Sequence, residues 1–221
     1  MTGSYKKGIQ TKAKTLSVAK KLFYEHGIKD ITGTEICKQA NITYGNFTYY
    51  YKTKKDLVAA IIQEILETAT AYADKLLPAS SSLEKGCLSC HLFMLSVCRD
   101  PKAARFLEQV YSMDYRSIIP LFVEETYSTW FAESEKQPHS KHIHKLAVAD
   151  AHARLALFLD LMERCNHKPE IPDILDMSDT VFELTCYILQ VDSVTLDRIS
   201  AKVHHILEQE NYPSIALFND N

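Results

Sequence analysis

The first 60 residues of this chain contain no arginine at all. Every positive charge there is a lysine: eleven of them, at positions 6, 7, 12, 14, 20, 21, 29, 38, 52, 54 and 55. Four acids oppose them, Glu25, Asp30, Glu35 and Asp56, leaving a net charge of +7. The remaining residues carry 14 bases and 24 acids, a net −10, so the overall −3 hides a basic head on an acidic body. That asymmetry points to a polyanionic partner for the head. Other absences narrow the class. No strand alternation, internal repeat or low-complexity tract appears in the 221 residues, which speaks against a sheet protein or a solenoid. No apolar run reaches membrane-spanning length, so no membrane partner is expected. No apolar segment follows the charges of MTGSYKKGIQ, so export is not expected and a cytoplasmic location is. In that setting the six cysteines (37, 87, 90, 98, 165 and 186) are expected to be reduced thiols, not a disulfide framework. No acid–base or nucleophile constellation is legible; the expectation is a protein that is not an enzyme and needs no metal or cofactor.

What is present reads as helices with short connections, hence an all-α fold. Leu16, Ala19, Leu22 and Phe23 form one apolar stripe over about 10–25, closed by Gly27. Thr32-Gly-Thr-Glu35 is a capping box that opens a short helix at about 33–40. Asn41-Ile42 turns the chain, Thr43 caps a third helix at about 44–50, and Thr53-Lys-Lys-Asp56 is a second box opening a helix over 54–77. Pro78-Ala-Ser-Ser-Ser82 is a break. Beyond it the pattern predicts helices at about 83–98, 101–112, 116–135, 141–165, 174–190 and 193–210, with Pro120 kinking or delaying its helix. The expected division is a small head at 1–52 and a helical body at 53–221, connected by helix 54–77.

Residues 42–57, ITYGNFTYYYKTKKDL, set three consecutive tyrosines beside lysines on a segment too short to form a core alone. Three short helices with a tight turn between the second and third describe a helix-turn-helix. Its third helix can enter the major groove, where tyrosine hydroxyls, a glycine that permits close backbone approach, and lysines suit phosphates and base edges. The opposing reading is that all the tyrosines are core and the lysines only a solvated face.

The stretch 32–57, TGTEICKQANITYGNFTYYYKTKKDL, resembles the DNA-binding signature of TetR-type transcriptional regulators, roughly T-x-x-x-I-A-x-x-A-G-V-S-x-G-x-F-Y-x-[HY]-F-x-x-K-x-x-L. Thr32, Ile36, Ala40, Gly45, Phe47, Tyr50, Lys54 and Leu57 fall on matching positions, and Lys21 to Gly27 resembles the end of the family's first helix. Cys37, Asn41 and Thr48 stand where the family has Ala, Gly and Tyr. The resemblance covers about the first 60 residues. It implies that Thr32 caps the second helix and touches phosphate, that Thr43, Tyr44, Gly45 and Asn46 face the groove, that Thr48, Tyr49 and Tyr50 reach backbone or base edges, and that Lys54 binds phosphate. Phe47 and Tyr51 are assigned to the core of the head. It further implies a homodimeric regulator of double-stranded DNA, a repressor released from a palindromic operator by a small-molecule effector in the body.

The body offers candidates for that effector site among its aromatic and sulfur-bearing residues: Met94, Cys98, Phe106, Tyr111, Tyr115, Phe122 and Trp130. For the dimer interface the two last helices supply Phe182, Leu184, Tyr187, Ile188, Leu196, Ile199, Val203 and Ile206, with helix 141–165 as the alternative. Two motifs admit a sharper function. Cys87-Leu-Ser-Cys90-His91 has the spacing of a haem-attachment site and, with Cys98, makes an alternative thiol, metal or haem sensor; the bland reading is a helix with thiols packed inside. His139, His142 and His144, with His152 two turns on, have metal-binding spacing at a loop and helix start. A helical ligand carrier without a DNA role is the remaining alternative, and the +7 head is the feature it leaves unexplained.

Overall fold

The computed structural model describes residues 3–112, 117–133 and 140–218. Over these the chain forms ten α-helices. The head holds α1 (Gly3–His26), α2 (Gly33–Ala40) and α3 (Tyr44–Tyr50); α4 (Lys54–Leu76) leads to α5 (Ser82–Cys98), α6 (Pro101–Ser112), α7 (Ile119–Glu133), α8 (Ser140–Arg164), α9 (Ile171–Leu189) and α10 (Ser193–Gln209).

Local chemistry sets the boundaries. The Thr32 hydroxyl accepts from the Glu35 amide while the Glu35 carboxylate accepts from the Thr32 amide, and Asn41 ends α2 in the left-handed region at φ 53°. Thr53 and Asp56 repeat the box on α4, and Ser81 and Glu84 repeat it on α5. Asp192 caps α10 through the Thr195 amide. Each such cap satisfies donors that the first turn leaves open and contributes about 1 kcal/mol.

Three boundaries differ from the sequence expectation. Helix α1 begins at Gly3 instead of about residue 10, because nothing in the polar stretch before its apolar stripe breaks a helix. Helix α9 begins at Ile171, with Pro172 inside its first turn, where a missing N–H costs nothing. Pro120 likewise falls in the first turn of α7, which starts at Ile119.

The core runs without interruption from head to body. Phe23, Ile36, Phe47 and Leu57 fill the head; Leu88, Leu92, Phe106, Phe158, Val181 and Val203 fill the body. Helix α5 is central, packed against α4, α6, α7, α9 and α10, while α8 pairs with α7 and α9. The segment after α10 turns back over the α5–α6 end. There Ile215 N–H donates to Ser96 Oγ at 2.7 Å, and Phe218 lies between Tyr24 of α1 and Phe106 of α6, with ring centroids 5.1 Å from each. None of the described helices is long and apolar enough to cross a membrane.

Candidate DNA-reading head and effector cavity

Helix α3 has seven residues and buries only Phe47. Its start is fixed by Thr43, whose Oγ1 accepts from the Asn46 amide at 3.2 Å. Phe47 and Tyr51 anchor the helix inward at 2% and 4% exposure, and burial raises the Tyr51 phenol to about 12. The outer face is open. Tyr44 is 59% exposed, Tyr49 is 81% exposed, and Thr43, Gly45 and Asn46 are exposed beside them. The fold itself gives no reason for a glycine at 45: a Cβ there would meet nothing nearer than Thr43 Oγ1 at 3.9 Å. The room that Gly45 leaves therefore faces outward.

Three expected contact residues are placed otherwise. Tyr50 is half-buried and turned to α1, its hydroxyl 3.3 Å from where a Cβ on Gly8 would lie. Lys54 Nζ donates to the carbonyls of Ile28 (2.7 Å) and Ile31 (2.9 Å), so it clamps the α1–α2 connection; burial lowers its ammonium below the ordinary lysine range against the pull of Asp30. Thr48 donates back along its own helix, to Tyr44 O at 3.2 Å and Gly45 O at 3.1 Å. Thr32 stays exposed, but its hydroxyl also donates to Glu35. Among the lysines, Lys20 is buried on Glu64 and is lost to the surface charge of the head.

The body holds a cavity of about 760 Å³ that opens to solvent past Gln63, Glu67 and Asp74. Of the expected lining residues, Met94, Phe106, Tyr111, Phe122 and Trp130 face it. Cys98 does not; it packs in the core, where burial raises its thiol to about 12. Tyr115 lies outside the described residues. Most of the wall is apolar, from Ile62, Ile65 and Leu66 on α4 to Phe182 on α9. Gly86 lets α7 approach α5: a Cβ there would stand 2.4 Å from the Trp130 ring.

One end of the cavity is polar and was not legible in the sequence. Asp150, fully buried, accepts from Arg154 Nε at 2.7 Å; Arg154 also donates to Thr185 Oγ1 at 2.6 Å and to Cys90 Sγ at 3.5 Å. Burial works against the Arg154 charge, but Asp150 outweighs it and raises the guanidinium further. The Tyr127 hydroxyl is buried beside this group without a well-formed hydrogen bond. Arg154 and Asp150 do form an i, i+4 pair on α8, but only the fold shows that both are internal.

The cavity and the head share α6. Its inner face gives Phe106, Leu107 and Tyr111 to the cavity. Its other face holds the end of α1: Arg105 donates to the carbonyls of Tyr24 (2.7 Å) and Glu25 (3.0 Å), Lys102 pairs with Glu25, and Gln109 Oε1 accepts from the Ile28 amide. Tyr24 itself donates to Asp100 at 2.8 Å, just before α6. Gly27, at φ +90°, ends α1 against Gln109, leaving no room for a side chain there.

The dimer candidates divide. Phe182, Ile199 and Val203 are at most 2% exposed because they face the core of their own subunit, so they are corrected from interface to core. Tyr187 (88% exposed) is open to solvent, whereas Ile188, Leu196 and Ile206 are half-buried. Val194, in the first turn of α10, is also exposed, at 76%. The sensor motif is also taken apart: among the described residues Cys87, Cys90 and Cys98 do not converge with His91 into a ligand set. His139 lies outside the described residues, and His142, His144 and His152 form no such set; His144 pairs with Glu124 instead.

A short capped helix presented outward from a basic three-helix head, on a helical body with a cavity, is the arrangement of a helix-turn-helix head on a helical body. Residues 16–61, the head and the start of α4, match the family model for bacterial regulatory proteins of the tetR family. Across most of its length the fold is similar to that of RolR solved with the ligand resorcinol (TM-score 0.55, 14% identity, covering 89% of this chain and 95% of that one). It is likewise similar to full-length TylP, a TetR regulator from Streptomyces fradiae (TM-score 0.54, 13% identity, 92% and 94% covered). No curated protein matches the chain by sequence.

Proposed function

We propose that the chain is a ligand-responsive repressor that binds a palindromic operator as a homodimer and performs no catalysis. The observation that carries this reading is the double use of α6, which lines the cavity with Phe106 and Leu107 and holds the end of α1 through Lys102, Arg105 and Gln109. A ligand that displaces the inner face of α6 moves the anchor of the head. One head reads only a few base pairs; two heads on a two-fold dimer read half-sites about 34 Å apart, and a small change in their separation loses the fit. Ligand and DNA then oppose each other by the same coupling in both directions. Tyr44, Tyr49, Asn46 and the space above Gly45 are the proposed groove contacts, and the open face around Tyr187 is the proposed centre of the dimer interface.

The ligand class follows from the wall. A volume of about 760 Å³ fits a small organic molecule. The apolar lining selects an apolar body, and Arg154, Cys90 and Tyr127 select one hydrogen-bonding end. The resorcinol bound to RolR is a small hydroxylated aromatic and makes phenols the first class to screen. Trp130 is the sole tryptophan and lines the cavity, so its fluorescence reports occupancy directly. Titration of small phenols and other apolar hydroxy compounds is expected to change Trp130 emission, and those that do so are expected to release the protein from a duplex selected out of a random library. Ligands that fill the cavity and leave DNA affinity unchanged would overturn the effector role.

A further inference from the structure

His91, wholly buried on α5, faces oxygen on both sides of its ring. Nδ1 is 2.9 Å from the Cys87 carbonyl oxygen and Nε2 is 3.0 Å from Asp179 Oδ1 on α9. A carbonyl oxygen only accepts, so Nδ1 carries a proton and donates it there. In the neutral ring Nε2 then presents a lone pair to a carboxylate, which also only accepts. His204 on α10 brings its own Nε2 to 2.9 Å from each oxygen of the same carboxylate. Two imidazole nitrogens and one carboxylate thus converge from three helices, with their ligand atoms all within 4.8 Å of one another. Such a set calls for a positive charge at its centre.

We propose that His91, Asp179 and His204 form a binding site for a divalent transition-metal ion of the zinc type. The donor set selects against calcium and magnesium, which take oxygen ligands, and suits zinc, which takes imidazole with carboxylate and leaves a fourth position for water. The Nδ1–H bond from His91 to the Cys87 carbonyl is the outer-shell bond that fixes a ligating imidazole and its tautomer. The size also fits. Tetrahedral zinc with bonds of about 2.0–2.1 Å sets its donors about 3.3 Å apart. Asp179 Oδ1 stands 3.0 Å from His91 Nε2 and 2.9 Å from His204 Nε2, and all three donors lie within 4.8 Å of one another, so a shift of a few tenths of an ångström at the carboxylate admits the ion. Asp179 and His204 are 28% and 34% exposed, which opens a path from solvent to the buried third ligand.

The site lies behind the cavity and outside it. Cys90, Phe93 and Met94 flank His91 on α5 and line the cavity, whereas His91, Asp179 and His204 do not. A bound ion therefore ties α9 and α10 to the helix that forms the cavity wall. The competing occupant of the same geometry is a proton shared among the three groups.

Metal retention by the full-length protein separates the two. The chain is stripped with a chelator, dialysed against Zn²⁺, desalted and assayed for metal, and in parallel loaded with Co²⁺ for visible absorption. The expected result is one zinc per chain and the intense absorption of tetrahedral cobalt. His204→Gln and Asp179→Asn are each expected to weaken binding by about 100-fold or more. His204 is part-exposed, so its variant is expected to keep the wild-type circular dichroism. His144→Gln, on the unrelated histidine stretch, is expected to bind as the wild type does. A wild-type chain that retains no zinc after desalting, or a His204→Gln chain that retains as much as the wild type, would overturn the proposal.

Discussion

Single residues on α3 separate folding from reading. Tyr49 is mostly exposed and makes its one ring contact with Tyr50 at 5.0 Å, so Tyr49→Ala is expected to leave the melting temperature within about 1 °C while cutting DNA affinity about 10-fold. Gly45 gives the sharper test. Glycine inside a helix costs about 0.5–1 kcal/mol relative to alanine, and nothing near position 45 resists a side chain. Gly45→Ala is therefore expected to stabilise the protein in thermal unfolding, and Gly45→Leu to fold normally but bind DNA about 10-fold or more weakly, because its side chain fills the space a groove would occupy. A Gly45→Leu chain with unimpaired DNA binding would remove α3 from the interface. Lysine identity is less informative than it looks in the sequence: Lys20 and Lys54 share one chemistry with Lys52, yet the first two are spent inside the fold and only the exposed Lys52 is free to add to a salt slope.

At the scale of elements, apolar pattern and chain breaks made most of the helices legible, and caps fixed the starts of α2, α3 and α4. Thr32–Glu35 and Thr53–Asp56 announce their helices because the cap bonds are local, three residues apart. What stayed hidden depends on distant partners. The Arg154–Asp150–Thr185 group, the His91–Asp179–His204 set and the return of Phe218 onto α1 and α6 join residues separated by tens of positions, and no periodicity encodes such meetings. Asp179 shows this well: its carboxylate meets His91 at 3.0 Å and His204 at 2.9 Å, and neither histidine is near it in the chain. Glu84 shows how a local and a distant role combine. It caps α5 through Ser81 and also takes Arg198 at 2.9 Å and Lys202 at 3.1 Å from α10. Burial raises its carboxyl, but these partners outweigh it and hold it at about 2. The folded value lies below the unfolded one, so its stabilisation is complete above about pH 4.5 and is lost as the pH falls from there toward about 2. Glu84→Gln is expected to cost about 1–3 kcal/mol in chemical denaturation at pH 7, with the difference from wild type shrinking across that acid window. Helix α6 carries the mechanism. Arg105→Ala removes two bonds to the end of α1 and leaves the cavity face intact. It is expected to leave ligand-induced Trp130 quenching unchanged while reducing, by about 3-fold or more, the factor by which ligand weakens DNA binding.

For the whole molecule, the basic head and acidic body are the property most directly written in the sequence, and they survive folding because most of the head's lysines remain outside its core. The fold class was legible for the same reason that the helices were. Which apolar residues of the last two helices reach the surface was not, because a core residue and a surface one look alike until burial is known. Phe182, Ile199 and Val203 turn inward, whereas Tyr187 and Val194 turn out. Tyr187→Glu is accordingly expected to shift the sedimentation of the protein from dimer toward monomer and, through the lost second head, to abolish tight operator binding without unfolding the subunit. An unchanged dimer would move the interface elsewhere on the body.

The central claim is that the head reads duplex DNA. Fluorescence anisotropy tests it most directly, with the full-length protein titrated onto a labelled duplex from upstream of its own gene, against a scrambled duplex of equal length, across a salt series. The account predicts tight binding to the first duplex, at least about 10³-fold weaker binding to the second, and a steep linear fall in log affinity with log salt as lysines release phosphate counterions. Equal affinity for both duplexes, or no binding even at low salt, would contradict it.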